Sequence, residues 1–88
     1  MADSMEIMGA VASIIREKAP TTVGLEIAMD TLLKEALGLD SLRLVQIMVA
    51  IEDQFGIEFE VEDLDPRAFE RISDLVVLTE KTIGTVDA

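Results

Sequence analysis

Gly38-Leu39-Asp40-Ser41-Leu42 runs into Arg43-Leu44-Val45-Gln46-Ile47-Met48-Val49-Ala50-Ile51-Glu52-Asp53-Gln54-Phe55-Gly56, the most regular amphipathic stretch of the chain. Leu44, Met48, Ile51 and Phe55 recur at the spacing of one helix face. Val45, Ile47 and Val49 broaden that face almost around the axis, as in a helix that is central or shares a side with a partner. Gly56 supplies the left-handed residue that ends such a helix. The pattern therefore predicts a helix from Ser41 to Phe55. It also places one hydroxyl, that of Ser41, at the helix mouth. Unpaired N–H groups and a partial positive charge gather there, a natural seat for a phosphate ester.

Upstream, Asp3 to Lys18 reads as a helix whose apolar face is Met8, Val11, Ala12 and Ile15. Asp3 followed by Glu6 fits a capping box, and Arg16 and Lys18 suit the negative end of the helix dipole. Pro20 marks the stop. Residues 20–40 form a long connection with too many apolar side chains for a free linker: Leu25, Ile27, Leu32, Leu33, Leu37 and Leu39. It is expected to lie on the core, with one short turn near Asp30-Thr31-Leu32; ordered loops of this length are usually functional.

Downstream, Ile57, Phe59 and Val61 alternate with Glu58, Glu60 and Glu62, the pattern of a strand. A lone strand has nothing to pair with, so an extended segment is expected through Leu64. Asp65-Pro66 reads as a cap followed by proline at the first helical position, opening a short helix through Ala68 and Phe69. A last helix is predicted over 72–82, burying Ile72, Leu75, Val76 and Leu78 or Thr79, with Gly84 and a polar tail beyond it.

The 88 residues are expected to form one domain, 1–88, with one modest core. Eighteen acids against seven bases give a formal charge of −11, which is hostile to nucleic acid and to anionic membranes and suits basic patches on partner proteins. The chain has no cysteine and no histidine, so thiolate chemistry and the usual zinc, haem and triad arrangements are excluded. No apolar run approaches a membrane span and no leader pattern is seen, so a cytoplasmic location is expected; separately, the protein is expected to be a monomer.

A serine before an apolar helix is most often only its N-cap, and Asp40 has the same reading. A catalytic serine would need a base held by a third group, for which only carboxylates and lysines are present. Arg43 is locally unfavourable, since a cation in the first turn opposes the dipole. A phosphate, an acid on a partner, or plain solvation would account for it.

Leu37-Gly38-Leu39-Asp40-Ser41-Leu42, the apolar helix closing on Ile51-Glu52-Asp53-Gln54-Phe55-Gly56-Ile57, the approach Asp30-Thr31-Leu32-Leu33 and the later Ile72-Ser73-Asp74-Leu75-Val76 together resemble an acyl carrier protein. The similarity runs from about Ile27 to Leu78. It implies a four-helix bundle with a long first loop and a short third helix. It implies that Ser41 receives 4′-phosphopantetheine from coenzyme A through a separate magnesium-dependent transferase, the terminal thiol then holding acyl groups as thioesters. Asp40 and Leu42 would be determinants of that modification.

The resemblance further implies that enzymes dock on the second helix through Leu42, Arg43, Gln46, Val49, Glu52 and Asp53. Apolar cargo would lie beside Val45, Met48, Phe59, Phe69 and Ile72, residues that plain core packing explains better than a dedicated pocket does. Arg43 and Gln46 stand where carriers of fatty-acid synthesis usually have acids, and Arg71 replaces a hydroxyl residue. These departures point to a specialised polyketide or mixed polyketide–peptide pathway, with a transferase, an acyl- or aminoacyl-loading enzyme, an acyltransferase or a ketosynthase as partners. The chain would be a substrate of enzymes and not itself an enzyme. The alternatives are an aminoacyl or peptidyl carrier, a non-catalytic acidic interaction module and, last, a calcium-binding helical protein, which lacks the glycine-bearing Asp-rich loop.

Overall fold

A computed structural model describes residues 3–87. Helix α1 spans Ser4–Lys18, α2 spans Ser41–Phe55 and α3 spans Ile72–Asp87. Three short 3₁₀ turns lie between them, at Pro20–Thr22, Val61–Leu64 and Pro66–Ala68. The fold is all-helical, and the described residues contain no β-strand, only an isolated antiparallel bridge between Leu32 and Arg71. No helix among the described residues is long and apolar enough to cross a membrane.

Each helix begins and ends for a local reason. The Asp3 carboxylate accepts the Glu6 N–H at 2.9 Å and starts α1, which is one half of the predicted capping box; the return bond from the Glu6 side chain is not made among the described residues. At α2 the cap is Asp40, not Ser41: its carboxylate accepts the Arg43 N–H at 2.8 Å. Gly56 closes α2 at φ 63°, a left-handed conformation in which a side chain costs about 1–2 kcal/mol.

Helix α1 packs across both α2 and α3, and the core lies in the angle between them. Ile7, Val11, Ile14 and Ile15 from α1 meet Leu44, Ile47, Met48 and Ile51 from α2 and Ile72, Leu75 and Val76 from α3. The face of α1 is wider than its sequence period suggested. Ile7 and Ile14 are buried, whereas Met8 is only half-buried. In α3, Ile72, Leu75, Val76 and Thr79 are buried as expected; the Thr79 hydroxyl is satisfied by the Leu75 carbonyl at 2.7 Å.

Four expectations are corrected. Helix α3 continues past Thr82 and Gly84 to Asp87, since nothing in the backbone of Gly84 turns it out of the helical region. The segment after α2 is extended only to Glu60; Ile57 and Phe59 point inward as the alternation required, but Val61 is 84% exposed and opens a 3₁₀ turn. The short helix at Pro66 is a single 3₁₀ turn, Pro66–Ala68. Finally, the long connection has more order than one short turn and less burial than its composition suggested. Leu33, Leu37 and Leu39 are buried, but Leu25 and Met29 are exposed.

That connection is clasped to the start of α3. The Leu33 N–H bonds the Glu70 carbonyl at 2.9 Å, and the Ile72 and Ser73 N–H groups bond the Thr31 and Met29 carbonyls at 3.0 and 2.8 Å. The Asp74 carboxylate reaches back to the N–H groups of Glu70 and Arg71, and the Arg71 guanidinium donates to the Asp30 carbonyl. So α3 begins without a hydroxyl at position 71, because loop carbonyls and Asp74 take up its first N–H groups. Past the clasp, residues 33–37 form a hydrogen-bonded turn that Gly38, at φ 67°, closes by donating its N–H to the Lys34 carbonyl. This turn delivers Asp40 and Ser41 to the mouth of α2.

Candidate functional site

Ser41 occupies the first position of α2, with its side chain exposed. Because Asp40 does the capping, the Ser41 hydroxyl makes no hydrogen bond among the described residues. The Asp40 carboxylate takes the Arg43 N–H, and the Asp40 carbonyl takes the Leu44 N–H at 2.9 Å. The N–H groups of Ser41 and Leu42 thus have no acceptor among the described residues. A free hydroxyl beside two free N–H groups at the positive end of a 15-residue helix can accept a phosphoryl group and stabilise its charge. It is not arranged as a nucleophile of its own, since no base is bonded to it.

A cavity of about 150 Å³ opens beside this hydroxyl, between the start of α2 and the 3₁₀ turn Pro66–Ala68. Leu39, Leu44 and Phe69 give it apolar walls, and Lys34 and Arg67 stand at it with their charges. Asp65, outside the cavity, pairs with Arg67. It accepts the Arg67 N–H at 3.0 Å and grips the guanidinium through Nε and Nη2 at 3.1 and 3.2 Å. These bonds from the Arg67 side chain, and next from its backbone N–H, hold the Asp65 carboxyl below the usual carboxylate range. The small stabilisation from this exposed pair is therefore present above the ordinary carboxylate pKa and is lost as pH falls through the lowered one.

The residues assigned to partner binding fall on one exposed run of α2. Leu42 is 70% and Val49 52% exposed, and Arg43, Gln46 and Asp53 are also exposed. Glu52 differs: it is half-buried, and its Oε2 accepts the Phe59 N–H at 2.7 Å, holding Phe59 in the core. The residues assigned to cargo do not gather at one cavity. Met48, Phe59 and Ile72 are buried in the core, Val45 and Phe69 are half-buried, and only Phe69 lines the space next to Ser41.

Arg43 has a structural partner that no local pattern announced. Its Nη1 donates to the Lys18 carbonyl at the C-terminal end of α1 and to Gln46 Oε1 at 3.4 Å. The guanidinium is thus unfavourable for the dipole of α2 and favourable for that of α1. Arg43→Ala is expected to lower stability by about 1 kcal/mol, read as a lower urea midpoint with an unchanged slope. Arg43→Glu should lower it further, since a carboxylate would then face the carbonyl end of α1. A glutamate variant as stable as the native protein would show that this contact contributes nothing.

Comparison with known proteins agrees with the site. A family model described as a phosphopantetheine attachment site matches residues 6–78. An acyl carrier protein of Thermotoga maritima is 34% identical over 84 residues, spanning 96% of this chain and all of that protein. One from Solidesulfovibrio magneticus is 30% identical over 85% of this chain and 97% of its own. One from Clostridium perfringens is 36% identical over 65% of this chain and 74% of its own.

Proposed function

The chain belongs to the acyl carrier proteins, and on that premise we propose that Ser41 is the residue that bears the prosthetic arm. As a member of that family it is a carrier and not a catalyst, holds 4′-phosphopantetheine covalently, and interacts with a phosphopantetheinyl transferase and with acyl-handling enzymes. When bound, the arm supplies a terminal thiol on which acyl groups are held as thioesters. The observation that supports Ser41 most directly is its free, exposed hydroxyl at the head of α2, released from capping by Asp40.

In this reading Asp40 and Leu42 are determinants of modification. Asp40 fixes the first turn, and Leu42 offers an exposed apolar contact one residue on. The exposed run Leu42, Arg43, Gln46, Val49 and Asp53, with Glu52 beside it, is the docking face for the transferase and for a loading enzyme, acyltransferase or ketosynthase. Cargo lies along the α2 side by Val45 and Phe69 and, where the core yields, against Met48, Phe59 and Ile72. The turns Val61–Leu64 and Pro66–Ala68 stand in the place of the short third helix of a four-helix carrier bundle, with residues 1–88 as one carrier domain, monomeric and cytoplasmic.

Arg43, Gln46 and Arg71 in place of the acids and hydroxyl usual in fatty-acid carriers support a specialised polyketide-type pathway. The test is to incubate the apo-protein with coenzyme A and a broad-specificity transferase, then present the product to acyl-loading and aminoacyl-loading enzymes and read intact mass. The expected result is one phosphopantetheinyl group on Ser41 and further gain with acyl donors. Gain with aminoacyl donors alone would assign it to a peptide-forming pathway, and no gain at all would leave an acidic interaction module.

A further inference from the structure

We propose that Lys34 and Arg67 form a two-cation clamp for the phosphodiester of the arm, seating it in the cavity between the head of α2 and the turn Pro66–Ala68. This inference rests on Ser41 as the attachment residue.

The placement of charge carries it. Only seven residues of the chain are basic against eighteen acids, yet two of the seven line this one cavity of about 150 Å³ next to Ser41. The concavity at the other end of α2 is lined by Glu52, Asp53 and Glu58 and by no cation. Lys34 is exposed and makes no ion pair among the described residues, so its ammonium is uncommitted. Arg67 bonds Asp65 through Nε and Nη2, which leaves Nη1 without an acceptor among the described residues, on a side chain that is 87% exposed. An arginine paired along one edge with its second edge open to solvent can take a phosphate oxygen there.

Arg43 does not compete for this role. It lines a separate hollow on the opposite side of Asp40, with Pro20 and Gly38, and its Nη1 is occupied by the Lys18 carbonyl. Asp40 and Asp65 already offset Lys34 and Arg67, so the charge of the phosphodiester is met by the free N–H groups of Ser41 and Leu42 together with the open edge of Arg67 and the unpaired Lys34 ammonium. The apolar walls Leu39, Leu44 and Phe69 would then meet the first, branched carbons of the arm. The clamp would thus set the direction in which the arm leaves the protein.

The experiment uses the protein loaded by coenzyme A and transferase, with loading on Ser41 verified by intact and fragment mass. Phosphorus NMR linewidth and nuclear Overhauser contacts between the geminal methyls of the arm and the Leu44 and Phe69 side chains are compared between the native protein and Lys34→Gln/Arg67→Gln. Both substituted residues are exposed, and each sample is checked by its circular dichroism melt. The expected result is equal loading, with loss of the contacts and a narrower phosphorus line in the double variant. In the native protein the same narrowing should follow at 1 M salt, where the screening length falls to about 3 Å. Loading on Ser41 with contacts and linewidth unchanged by the substitutions, or with no contacts in the native protein, overturns the clamp alone. Absence of loading on Ser41 in the native protein overturns the attachment assignment and the clamp with it.

Discussion

Ser41→Ala should abolish loading outright while leaving the fold untouched. Removal of the hydroxyl deletes the atom proposed to bear the phosphoryl group, so the expected mass gain is zero rather than reduced. The fold should not respond, because the hydroxyl makes no bond among the described residues and Asp40 does the capping. Alanine is also the most favourable helix residue. The stability change should therefore stay within about 0.5 kcal/mol. Intact mass after incubation with coenzyme A and transferase, together with a urea curve, reads both halves. Labelling that persists in the alanine variant would move the attachment elsewhere. A large loss of stability would show that the hydroxyl has a partner.

Met48→Ala should have the opposite signature, with loading retained and stability sharply reduced. Met48 is fully buried among residues of all three helices. Truncation leaves a void that the surrounding Leu, Ile and Val side chains fill only in part, at a cost of about 2–5 kcal/mol. For a domain of this size the total is of the order of 5–15 kcal/mol, so the variant should melt far earlier. The measurement also discriminates between core and cargo pocket. A side chain lining a space kept open for an acyl chain would be lost at small cost, so a nearly unchanged urea midpoint would mark Met48 as pocket wall.

These expectations draw on a part of the molecule that was largely legible in the sequence. Helix α2 has an acidic cap, an unbroken apolar row and a terminal glycine, three signals that agree, and its bounds were read as Ser41 to Phe55. The capping role was less legible. Asp40 and Ser41 are adjacent and both suit an N-cap, and only the backbone shows which one precedes the helix. Val61 misled because alternation reports a face only while the backbone stays extended, and the chain turns there. Gly84 misled because a glycine ends a helix only when it adopts positive φ, which this one does not. Arg43 could not be assigned because its partner, the Lys18 carbonyl, is brought near by the crossing of α1 and α2 and not by neighbourhood in the chain. The Lys34–Arg67 pairing at one cavity is hidden for the same reason.

The clasp between the first loop and the start of α3 has a consequence for timing. Thr31 and Leu33 are bonded to Ile72 and Glu70, which are made well after the serine. On the ribosome, the segment leading into Ser41 has no backbone to pair with until those later residues emerge, because contacts distant in sequence must wait for the chain that completes them. The loop that frames the head of α2 is therefore closed only after residues 70–73 have been made, so its ordering waits on the start of α3.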